Sequence, residues 1–179
     1  MLMATHAKRW TLAELHRLPD DGNKYELVRG ELFVTPAPTL DHETILARLT
    51  RILDPFVAAN NLGLVYHPRA IMRFEGSEVE PDLMVRRQPS ARDVEWNNAP
   101  TPILLVEVLS DSTRRRDLVS KRQLYLDAGV AEYWIVDPDA NSVRVVRNGE
   151  SDQLAIEQLT WTPAGATRSL VIELRAIFG

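Results

Sequence analysis

Apolar residues recur at spacings of three and four along residues 45–57: Ile45, Leu46, Leu49, Ile52, Leu53, Phe56 and Val57. That spacing makes one apolar face and predicts an amphipathic helix over 40–59, capped by Thr39. Pro55 is expected to kink its last turns or end it early, and Asn60-Asn61-Leu62-Gly63 stops it. A shorter helix is expected at 11–18, with Thr11 as cap and Glu14 completing a capping box. Elsewhere the period drops towards two. Residues 25–34 alternate around Arg29-Gly30 and predict a β-hairpin closed by Pro36 and Pro38. Strands are expected at 64–67, 70–74 and 79–86, then a polar loop over 88–102 packed down by Trp96. Residues 103–109 and 132–136 read as buried strands. A helix lies between them, capped within Asp111-Ser112-Thr113 and ended at Ala128 by Gly129. A hairpin of 142–147 and 153–159 turns at Asn148-Gly149, and 169–174 is the last strand.

The strand–helix–strand run over 103–136 implies a parallel pair covered by its crossover helix. The fold class is therefore α/β with a mixed sheet, helices against it and added β-hairpins at the N- and C-terminal ends. At 179 residues the chain reads as a single domain, 1–179. Apolar residues make up 45% and charged residues 26%, as in soluble globular proteins. With no cysteine, disulfides and thiolate metal sites are excluded. No apolar run is long enough for a bilayer. The first ten residues lack a charged start followed by an apolar core, so neither a signal peptide nor a membrane partner is expected, and a cytoplasmic location is. The net charge of −4 argues against a basic nucleic-acid coat and leaves room for a local basic patch.

Chemistry concentrates in three places. Glu107 stands in the buried strand 103–109, on the face of Ile103, Leu105 and Leu109. A buried carboxylate is costly unless paired or coordinated; the plainer alternative is a strand-end acid that reaches solvent or an arginine. Pro81-Asp82 lies in the expected strand before it. Two carboxylates facing one cleft repel unless a cation or proton sits between them, and Mg²⁺ prefers one or two carboxylates plus waters and phosphate oxygens. Lys121 falls in the covered arc of the next helix. Arg122 shares that broad arc, and Asp117, four residues earlier, could make Lys121 a plain surface ion pair. Arg114, Arg115 and Arg116 sit at the start of that helix, where cations oppose the dipole. A phosphate partner would explain them; a solvated turn would too. His42 lies in the first turn of the helix 40–59 and fits the cleft or a cap equally well. His6, His16 and His67 show no ligand spacing.

These residues resemble the PD-(D/E)XK restriction-endonuclease-like nucleases. More narrowly, the chain is similar to the Uma-type endonucleases, long catalogued as a domain of unknown function. The matching stretches are Tyr25-Glu26-Leu-Val-Arg-Gly-Glu31, His42, Val79-Glu-Pro-Asp82, Val106-Glu-Val-Leu-Ser-Asp-Ser-Thr-Arg114, Asp117 with Lys121, and Gly129-Val-Ala-Glu-Tyr-Trp-Ile-Val-Asp-Pro138. They span roughly residues 24–178. The resemblance implies a core of helix, three strands, helix and strand over about 39–137. It departs in one respect: the superfamily lysine belongs two residues after Glu107, where Leu109 stands, and Lys121 would replace it.

The resemblance further implies a metal-dependent DNA endonuclease. Asp82, Glu107 and the Val108 carbonyl would hold Mg²⁺ or Mn²⁺, which activates water, and Lys121 would orient that water and offset transition-state charge. Glu26 and His42 would assist from nearby, and Arg114, Arg115 and Arg116 would grip the DNA backbone. A homodimer is one possible assembly. The rivals are a non-catalytic DNA-binding or scaffold module of the same fold, and a phosphodiesterase of small nucleotides.

Overall fold

The computed structural model describes residues 8–89, 92 and 94–179. His6 and three positions of the 88–102 loop lie outside the described residues. The helix α1 is short, Leu12–Leu15, and both bonds of its capping box form between Thr11 and Glu14. The hairpin follows as β1 (Lys24–Val28) and β2 (Glu31–Thr35). Arg29 and Gly30 both take positive φ, 51° and 84°, which suits a tight two-residue turn. Helix α2 spans Leu40–Ala59 and runs through Pro55. The expected early end does not occur, because its buried face continues through Phe56 and Val57 and holds the last turn down.

Strands β3 (Leu64–Tyr66), β4 (Met72–Phe74), β5 (Ser77–Val79) and β6 (Leu83–Arg86) come next. The single strand expected over 79–86 is therefore two strands, and they lie in different sheets. Pro81 has no N–H to donate to a ladder, so the chain breaks at Glu80-Pro81-Asp82 and crosses between sheets there. β7 (Leu104–Val108) carries Glu107. A helix then opens with π-helical turns at Arg116–Lys121 and continues as α3 (Arg122–Asp127). Thr113 does not cap it: its hydroxyl turns back and accepts the Ser110 N–H at 3.2 Å. Gly129, at φ 74°, ends it as expected. β8 (Tyr133–Asp137), β9 (Ser142–Val146) and β10 (Gln153–Ala155) follow. The strand expected to reach Leu159 ends at Ala155; β11 (Gln158–Trp161) leaves to pair with β12 (Leu170–Glu173), and α4 (Arg175–Phe178) closes the chain.

One sheet has the order β10-β9-β8-β7-β6-β3, with only β7 and β8 parallel, and is the mixed sheet expected. A second, antiparallel sheet has the order β2-β1-β5-β4. The larger sheet has a core on each face. On one, Leu83, Val85, Leu104, Val106 and Trp134 meet α2, Trp161 and Ile177. On the other, Met84, Leu105, Leu109 and Ile135 meet Leu124, Tyr125 and the four-stranded sheet's Val28, Met72 and Val79. Gly63 pins the edge strand in place: a Cβ there would stand 2.1 Å from the Arg86 carbonyl oxygen. None of the described helices is long and apolar enough to cross a membrane.

Candidate active site

A cleft of about 890 Å³ opens at the C-terminal end of β7, lined by Lys24, His42, Asp82, Glu107, Val108, Arg116 and Asp117 among others. Asp82 reaches it because the chain crosses between sheets just before β6. The β6–β7 ladder ends at the Leu83–Val106 pair, and the Asp82 carboxylate takes over: Oδ2 accepts the Val108 N–H at 2.9 Å. His42, in the first turn of α2, places Nε2 3.1 Å from the same oxygen. Lys24 donates to Oδ1 at 3.2 Å. Burial opposes the Asp82 charge, but Lys24 and His42 outweigh it and hold the carboxyl well below the usual range.

Glu107 is buried on the face of Leu105 and Leu109, as its register requires. Lys121 Nζ and Tyr125 Oη both donate to its Oε1, at 2.7 and 2.6 Å. Lys121 also lies 2.8 Å from Glu26 Oε1 and 3.8 Å from Asp117 Oδ1. Arg116 pairs with Glu26 at 3.4 Å and with Asp117 at 3.3 Å. The wide π-helical turns turn Arg116, Asp117 and Lys121 together into the interior. Three carboxylates, Glu26, Glu107 and Asp117, thus share two cations. The shortfall appears at Glu107: burial, with the charges of Asp82 and Asp117, outweighs Lys121 and pushes its carboxyl up to about 7. Lys121 stays charged, since Glu107 and Glu26 more than offset its burial.

The structure brings Asp82, Glu107, Val108, His42 and Glu26 to one site. It brings Lys121 there too, but with no exposed surface, beneath Glu107 rather than in the cleft. The arginines behave differently. Arg114 is held by Asp137 and Asp139, and Arg116 is buried against Glu26, Asp117 and Thr35. A phosphate would have to displace those partners, so only Arg115 of the three stands exposed. Burial works against a charged His42, yet the Asp82 hydrogen bond and charge raise its pKa. The stability from that pairing is complete below the ordinary histidine value and is lost as pH rises through the raised one. An NMR titration of the His42 ring is expected to read above 6.5, and a value at or below it would remove the His42–Asp82 pairing in solution.

The sequence model of the Uma2 family, described as "putative restriction endonuclease", matches residues 12–175. The chain belongs to the Uma2 family. Among solved structures, a protein described as "a putative nuclease belonging to DUF820" from Anabaena variabilis ATCC 29413 has a similar fold. Its TM-score is 0.79 at 21% identity, over 94% of this chain and 97% of that one. No curated protein matches the chain.

Two site residues of this Uma2 chain escape a reading of the sequence. Tyr125 is one, although its place four residues after Lys121 puts it on the same helix face. Lys24 is the other. Nothing local marks it; only the packing of the N-terminal hairpin carries it to Asp82.

Proposed function

We propose that this protein hydrolyses phosphodiester bonds in DNA with the help of a divalent metal. The observation that carries the reading is the placement of Asp82 and Glu107 on one cleft, where Glu107 is one of three carboxylates that share Lys121 and Arg116. A hard cation fits that donor set. Asp82 and Glu107 offer carboxylate oxygens, and the Val108 carbonyl adds a neutral one. Mg²⁺ and Mn²⁺ keep waters and take substrate oxygens, so two carboxylates and a carbonyl make a sufficient set of protein donors. When bound, the ion would polarise the phosphate and lower the pKa of a water. The protein's own residues do the rest: His42 and the Val108 N–H fix the Asp82 carboxylate, and Tyr125 and Lys121 fix Glu107. Membership of the Uma2 family, described as "putative restriction endonuclease", supports the nuclease part of this reading.

The test is cleavage of supercoiled plasmid, labelled duplex, single-stranded DNA and dinucleotides with Mg²⁺, with Mn²⁺ and with chelator. Metal-dependent cutting of the polymers, abolished in Glu107→Gln, is expected. Absence of cutting by the wild type would leave a DNA-binding or scaffold role, and cutting confined to dinucleotides would favour a small-nucleotide phosphodiesterase.

A further inference from the structure

Two lysines stand at the site, and they differ in access. Lys121 has no exposed surface and is held between Glu26 and Glu107. Lys24 keeps 18% of its side chain exposed and lines the cleft. Its Nζ donates to the Glu80 carbonyl oxygen at 3.0 Å and to Asp82 Oδ1 at 3.2 Å. An ammonium has three N–H donors, so among the described residues one of the three remains for a ligand in the cleft. The backbone explains the division of labour. Lys24 and Glu26 are two apart on β1 and share a face. The strand thus delivers the amine to the cleft and the carboxylate to the floor beneath it, against Lys121.

We propose that Lys24 is the lysine that touches the scissile phosphate, and that Lys121 is a positioning residue that holds Glu107. This rests on the nuclease reading above. In the hydrolysis, the oxygen of a water forms a new bond to phosphorus as the bond to the leaving sugar oxygen breaks. The water gives up one proton to solvent and the leaving oxygen takes one. Lys24 stays outside that proton balance. Both of its observed contacts, the Glu80 carbonyl and Asp82 Oδ1, are acceptors, so the amine meets the cleft as a donor and not as a base. Its N–H meets a non-bridging phosphate oxygen, where charge builds in the transition state. No lysine stands on β7 beside Glu107, and the β1–β2 hairpin supplies the amine across the cleft instead.

The rival is a Lys24 that serves only as counter-ion to Asp82. The two differ in measurable ways on the full chain. For Lys24→Met, the single-turnover cleavage rate is expected to fall about 10²-fold, as on losing one preorganised donor. Mn²⁺ affinity, measured by calorimetry without DNA, should stay equal or tighten, because a competing cation is gone. Duplex binding in Ca²⁺ should lose about one from the slope of log affinity against log salt, the mark of one lost phosphate contact. Lys24→Arg should keep part of the rate. A wild-type rate in Lys24→Met, or a loss that only follows weaker Mn²⁺ binding, overturns the proposal while the nuclease reading stands. If the wild type cuts nothing, the nuclease reading fails and the salt slope decides: a drop of about one upholds the phosphate contact, and an unchanged slope or no duplex binding overturns it. Lys24→Gln carries the same readouts should the methionine variant not fold.

Discussion

The Asp82→Asn variant is expected to cleave DNA about 10²–10³-fold more slowly than the wild type, the range for removing one preorganised electrostatic partner. The amide is the same size and can still accept the Val108 N–H, so the strand end keeps its shape. What disappears is the charge that faces Lys24 and His42. Mn²⁺ binding should weaken in parallel, and the His42 pKa should fall back towards its ordinary value. The acid side gives a check that needs no substrate. The Asp82 pKa is lowered in the folded protein. Its contribution to stability is therefore present above the ordinary carboxylate value and lost as pH falls below it. Urea midpoints of the wild type should drop between pH 5 and pH 2 more steeply than those of Asp82→Asn. Equal slopes, with full cleavage by the variant, would take Asp82 out of the site.

Replacing Lys121 by methionine is expected to have the largest effect on stability, a loss of about 3–5 kcal/mol, as when one partner of a buried ion pair is removed. The side chain is nearly the same length, so little packing is lost. Glu26 and Glu107 lose the amine they share and remain buried; Glu26 Oε2 already has no hydrogen-bond partner among the described residues. Glu26, held below its ordinary value in the wild type, should then rise above it, and Glu107, already raised, should rise further. A raised acid costs stability as pH rises from the unfolded value to the folded one. The deficit should thus be greater at pH 8 than at pH 5, read from urea midpoints. Adding Glu107→Gln to Lys121→Met should restore part of the loss, since the two residues are in contact and their effects do not add. A variant as stable as the wild type at pH 8 would show that Lys121 is not the keystone of this network.

Much of the fold follows from local pattern. The three- and four-residue spacing of α2, the β1–β2 turn at Arg29-Gly30, the two buried strands and the helix between them all depend on nearby residues and on chain geometry. They are legible because period and turn chemistry are short-range. The same holds for the anomaly at Glu107: a carboxylate in an apolar strand announces that something meets it.

Where the sequence misleads, the cause is a competition settled at long range. Pro55 reads as a kink or a helix end, and the helix does not end there, because burial of Phe56 and Val57 against the sheet outweighs one lost hydrogen bond. Residues 79–86 read as one strand, yet Pro81 lets the chain change sheets, and that change puts Asp82 at a ladder's end. Arg114 and Arg116 read as a basic patch, and the fold gives both of them carboxylates. Lys24 carries no mark of its own, because its partners lie 56 and 58 residues away. By itself the sequence determined most of the elements, the odd acid in β7 and a basic residue in the covered arc of the next helix. Only the tertiary structure decided which charges neutralise each other and which one still faces the cleft. Ion pairing depends on distance in space and on shelter from water, and neither is written along the chain.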